Sequence, residues 1–218
     1  MISRLFRTLL LVALLGAAWL AYERYAPRTA HMRDFDPKQV ASLETEMWRS
    51  YYDKERVKLF NQLAELMRTQ YHMSFATSNA VAYQAARAAF VFKEGRDRND
   101  YEQALPHLVK YYQAIREGSD IPFSVEKAAR LELEWWIVHR QRDKYDKNDL
   151  DRALAALPAE IYQLPPSRMM KHARLRQEAM TLRDKRAEAG GVSEEDWKKI
   201  DGMLQESWLA LWEEVNKQ

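Results

Sequence analysis

From Asp36 to the C-terminus the apolar residues recur every three or four positions, in runs bounded by helix start and stop signals, and they do not alternate over a useful length. That period fits helices with one buried face and does not fit half-buried strands. Only 6 Gly and 7 Pro occur in 218 residues, so little interrupts the helices. The expected fold is therefore all-α, a helical bundle of about 6–8 helices behind one N-terminal hydrophobic helix. A short α-solenoid of helix pairs is the alternative.

The start signals place the elements. Asp36 precedes Pro37, a capping carboxylate ahead of a residue whose missing N–H costs nothing in the first turn. Val40, Leu43, Met47 and Tyr51 then form a stripe, and Leu59, Leu63 and Leu66 form a second after a polar break with Asp53 as candidate cap. Ser74–Asn79 reads as a loop ahead of an alanine-rich helix over 80–93 that Gly95 ends. Asn99-Asp100 opens a helix that Gly118 closes, with Pro106 near its first turns or at a kink, and Ser124 caps the next. Further on, a short helix near Leu150–Leu157 stops at Pro158, and a charged helix covers Ser167–Glu188. Ser193 with Asp196, flanked by Val192 and Trp197, has the form of a capping box with a hydrophobic staple. The expected organisation is an N-terminal membrane segment over 1–25, a stalk over 26–35, a bundle core over 36–142 and a C-terminal helical subdomain over 143–218. The segment Tyr101–Ile115 resembles a helix of the tetratricopeptide type, which would imply the solenoid. The self-similarity such arrays show, about 34 residues, is absent.

Residues 8–22 carry no charge and follow Arg4 and Arg7. Fifteen helical residues reach only about 22 Å, against about 30 Å of bilayer hydrocarbon. Leu5 and Phe6 lengthen the run if the arginines snorkel, and Trp19, Tyr22 and Tyr25 suit an interfacial belt. The expectation is a single-pass anchor engaging a membrane through residues 5–22, with the helical domain on the extracytoplasmic side. The alternative is an exported protein cleaved near Ala18, after the small residues Gly16-Ala17-Ala18. Arg24, Arg28 and Arg33 follow the segment, so the basic-residue count does not by itself favour that orientation.

Composition removes several functions. No cysteine is present, which excludes disulfides, thiolate catalysis and Cys-ligated metals. Net charge is +2 and no basic run is interleaved with aromatics, so nucleic acid is not an expected partner. No phosphate-cradling glycine loop, Gly-x-Ser-x-Gly elbow or His-Glu-x-x-His motif occurs.

One polar-aromatic constellation stands out. Glu132, Trp136 and His139 share a helix face at i, i+4 and i+7, as do Glu44, Trp48 and Tyr51 or Tyr52. Arg87 interrupts the alanine-rich helix, where a charge needs a partner. The candidate core polar site is thus Glu44, Trp48, Tyr52, Arg87, Glu132, Trp136 and His139, with Arg87 or Arg140 pairing Glu44 or Glu132. A metal could use Glu44, Glu132 and His139, but Glu132 and His139 lie about 10 Å apart along their helix, and the Glu-x-x-His spacing of carboxylate-bridged metal bundles is absent. No cofactor and no catalytic residue are expected. Trp208 and Trp212 form a candidate partner surface. Arg168, Lys171, Arg174 and Arg176 form a candidate basic face for anionic lipid or an acidic partner. The expected function is a membrane-tethered, non-enzymatic module that binds a protein partner. The alternative is a helical bundle that binds a ligand or metal in its core.

Overall fold

A computed structural model describes residues 2–25, 31–146 and 148–217. The helix α1 (Ile2–Tyr25) comes first. Nine more α-helices follow it among the described residues: α2 (Pro37–Tyr52), α3 (Arg56–Tyr71), α4 (Phe75–Glu94), α5 (Arg98–Glu102), α6 (Leu105–Gly118), α7 (Val125–Arg140), α8 (Asp149–Tyr162), α9 (Pro166–Glu188) and α10 (Glu194–Asn216). The all-α expectation holds.

Local chemistry explains most of the boundaries. The Asp36 carboxylate accepts from the N–H groups of Lys38 and Gln39 at the start of α2. Ser124 caps α7 and Ser193 caps α10, where the Asp196 side chain reaches back to the Ser193 N–H to complete the box. Val192 and Trp197 join one apolar cluster, as the staple requires. Gly190 and Gly191, at φ of 112° and 143°, let the chain leave α9 through backbone that side chains resist. Gly95 has an ordinary φ and is needed for another reason. A Cβ there would lie 2.7 Å from the Tyr101 ring.

Four boundaries differ from expectation. Asp53 ends α2 instead of starting α3. Helix α4 begins at Phe75, because the Ser74 hydroxyl caps the Thr77 N–H, so residues 75–79 are helical and not a loop. The helix foreseen from Asn99 breaks after the five residues of α5, and Pro106 sits in the first turn of α6. Helix α8 runs through Pro158 to Tyr162. Its residues around that proline are buried from Leu157 to Tyr162, and packing outweighs the single lost backbone hydrogen bond.

The helices form a closed ring. Each of α2, α3, α4, α6, α7, α8, α9 and α10 packs on the next, and α10 packs back on α2. The short α5 bridges α4 and α7. A solenoid would share the sequential packing but would leave its ends apart. Apolar contacts run across the boundary expected at residue 142. Leu133 and Ile137 belong to the same apolar cluster as Leu154, Met169 and Leu211, and α2 of the first part packs on α10 of the second.

Helix α1 stays outside the ring. Its described large apolar side chains, from Phe6 to Tyr22, are between 51% and 66% exposed. Among the described residues no helix is long and apolar enough to cross a membrane. The expected transmembrane span is corrected accordingly: a helical run from Phe6 to Tyr22 rises only about 25 Å. The side chains of Leu5, Arg24 and Tyr25, and residues 26–30, which include Arg28 and are half of the expected stalk, lie outside the described residues.

Candidate functional site

The centre of the ring is a cavity of about 290 Å³, lined from all eight ring helices and mostly by apolar and aromatic side chains. Ala85 and Ala89 of α4 contribute little volume to its wall, which leaves room opposite the aromatic residues of α2, α6 and α7.

Two carboxylates reach it. Glu44 of α2 receives Arg176 Nε at 2.8 Å and Nη2 at 2.6 Å on one oxygen, and Trp208 Nε1 at 2.6 Å on the other. Glu132 of α7 receives the Tyr112 hydroxyl at 2.8 Å and Trp136 Nε1 at 2.9 Å, one on each oxygen. The Arg176 guanidinium also lies over the Trp135 ring, 4.8 Å from its centroid. The neutral indole and phenol donors hold the carboxylates in place, and the single guanidinium is bound to Glu44.

The electrostatics follow from burial. Burial raises the Glu132 pKa, and the nearby Arg176 and the hydrogen bonds only partly offset this. Burial also works against the Arg176 charge, but Glu44 and Glu132 outweigh it and hold the guanidinium firmly protonated. The tyrosines Tyr71, Tyr111 and Tyr112 line the cavity and are raised well above their usual value by burial first and by Glu132 among their neighbours. His172 is buried against Trp208 and is pushed down to about 4 by burial and by Arg176. Its Nδ1 lies 3.0 Å from the Ser207 carbonyl oxygen, and the Ser207 hydroxyl donates to the His172 carbonyl at 2.9 Å. A neutral ring with its proton on Nδ1 satisfies that arrangement.

Two more polar groups of the lining, the Trp135 indole N–H beside Glu132 and the Tyr162 hydroxyl beside Gln70, make no hydrogen bond of good geometry among the described residues. Native interiors rarely leave such groups unpaired.

The structure brings together four of the seven residues foreseen for the core polar site: Glu44, Trp48, Glu132 and Trp136. Three lie elsewhere. Arg87 is exposed on α4, near His107 and away from both carboxylates. His139 bonds Asp184 at 3.0 Å, in a cluster with Arg142 and Arg183 at the far end of α7. Tyr52 stacks under Arg183 in a separate surface hollow with Gly190, Gly191 and Trp197. Its pKa is raised to about 12, chiefly by burial. The metal set therefore does not assemble, and no group of three His, Asp or Glu side chains among the described residues could hold a metal ion. Arg140 bonds the Phe92 and Lys93 carbonyls instead of a carboxylate.

Sequence reasoning misplaced the partner of Glu44. Arg176 was assigned to a basic face with Arg168, Lys171 and Arg174, but it points into the ring. Of the other three, Arg168 pairs with Glu214, Arg174 approaches Asp151 at 3.9 Å, and Lys171 is exposed. The signal was present: Arg176 lies seven residues after Met169 and three after Ala173, both fully buried, so it continues their stripe. Trp208 likewise turns inward to Glu44, and only Trp212 of the expected partner surface stays exposed.

The arrangement can hold a small apolar molecule with a polar end. No protein-family model, curated protein or solved structure matches this chain.

Proposed function

We propose that this chain is a ligand-binding helical ring carried at a membrane by α1, without catalysis of its own. One observation carries the reading: a central cavity of about 290 Å³ with aromatic walls and buried polar groups, built by every helix of the ring. Ligand pockets run from about 300 Å³ upward and combine apolar walls with a few fixed polar groups. The lining also lacks an activated nucleophile, a metal set among the described residues or a paired acid and base, which favours binding over turnover.

The membrane part of the proposal rests on the exposed apolar face of α1 next to Arg4 and Arg7. Its described apolar run suits burial in the surface of a membrane. The basic start followed by an apolar run has the form of an export signal, so we place the ring on the extracytoplasmic side.

A protein-docking role keeps one observation in its favour, the exposed neighbours Leu209 and Trp212 on α10, at 44% and 38%. They form a small patch, so the central cavity is preferred.

The test is native mass spectrometry of full-length protein released gently from membranes, beside the variant Ala89→Phe, whose ring would fill the cavity. The proposal expects a small molecule retained by the wild type and lost from a folded Ala89→Phe. Equal retention by both, or a wild type that carries nothing and binds no small apolar molecule on titration, defeats it.

A further inference from the structure

Every charged group lining the central cavity can be accounted for. The lining holds Glu44, Glu132, Arg176 and His172 besides its tyrosines. Arg176 spends Nε and Nη2 on Glu44. His172 is neutral, its ring engaged with Ser207. Glu132, half-buried, is left as the one carboxylate of the cavity whose hydrogen-bond donors are all neutral, the Tyr112 hydroxyl and the Trp136 indole. With both carboxylates ionised the lining carries two negative charges against one positive.

Resting on the ligand-binding reading above, we propose that the cavity takes a small organic monocation, an apolar amine whose ammonium sits against Glu132 and the aromatic faces around it. Three observations point to this class. A carboxylate offers about four lone-pair sites, and Glu132 uses two, so it can still accept from an ammonium. Trp135, Trp136, Tyr111 and Tyr112 line the cavity with it and offer π-systems, which attract cations. The Trp135 ring already holds one cation, Arg176, at 4.8 Å. The rest of the cavity is apolar and suits a hydrocarbon body.

Other ligand classes fit less well. An organic anion would meet a lining that is already negative, and burying like charges together is costly. A neutral ligand would add nothing to the partial compensation that Arg176 and two neutral donors give Glu132. The Tyr162 hydroxyl, 2% exposed beside Gln70, gives the ligand a second polar contact.

Isothermal titration of the full chain with phenethylammonium, phenethyl alcohol and phenylacetate, three probes of similar size, tests the charge preference. The ammonium should bind more tightly than the alcohol by about tenfold or more, with phenylacetate weakest. Glu132→Gln, which keeps the side chain's shape, should bring ammonium and alcohol to within about twofold of each other. Alcohol or carboxylate binding as tightly as the ammonium in the wild type overturns the amine assignment and leaves the cavity a ligand site. An ammonium preference unchanged in a folded Glu132→Gln also overturns it. Failure of all three probes to bind counts instead against ligand binding itself.

Discussion

The Arg176 guanidinium grips a single oxygen of Glu44 through Nε and Nη2, 132 residues away in sequence, and so ties α9 to α2 across the closure of the ring. Glu44 is buried and Arg176 largely so, and neither tolerates loss of the other. Arg176→Met should destabilise the protein by about 3–5 kcal/mol, because it leaves the Glu44 charge buried with only the Trp208 indole. The double variant Glu44→Leu/Arg176→Met should recover most of that loss. Urea unfolding of the single and double variants checks this, and a double variant no more stable than Arg176→Met refutes it.

Stability should fall as pH drops toward 4. His172 has a folded pKa of about 4 against its ordinary 6.5, so the unfolded chain takes up a proton first. Its contribution is complete above pH 6.5 and lost as pH falls through the folded value, worth about 3 kcal/mol at most. Glu132, with a raised pKa, works in the opposite direction above the usual Glu value of 4.5. Comparison of thermal midpoints for wild type and His172→Asn between pH 7 and pH 4 isolates the histidine. The variant should show the shallower decline, and parallel curves would contradict the assignment.

Filling the cavity should trade binding for stability. Ala89 lines it with a single methyl group, so Ala89→Leu should add about 1–2 kcal/mol to the free protein by burying more hydrocarbon. The same change should weaken any ligand of the cavity. A destabilised Ala89→Leu that still binds as tightly as wild type would show that the space is not available to ligands.

Membrane association should depend on the α1 apolar face. Leu11→Asp combined with Leu15→Asp, at side chains 59% and 64% exposed, should release full-length protein from lipid vesicles in a flotation assay without lowering the thermal midpoint of the ring. Continued flotation would place the attachment elsewhere.

Much of this architecture is written locally. Asp36 before Pro37, Ser124, and Ser193 with Asp196 start their helices through bonds within a few residues, so they can be read directly. Glu44 and Glu132 were recognisable for a similar reason: each carries an indole four residues on, and a carboxylate on a helix face rich in aromatics demands buried partners.

The identity of those partners depended on how distant helices meet. Glu132 does take the indole on its own helix, Trp136, but Glu44 takes Trp208 and Arg176 from the other end of the chain. Arg87 and Arg176 are chemically equivalent in the sequence, and only the rotation of α4 and α9 within the ring sends one to solvent and the other inward. His139 shares a face with Glu132, but two helical turns carry it past the cavity to Asp184. The sequence by itself determined the helices, their caps and the residues that must be buried with partners, because these depend on contacts within a few turns. The closure of α10 onto α2, the cavity it encloses and the choice of Arg176 as its cation were decided by tertiary packing, which pairs surfaces by shape and charge across more than a hundred residues.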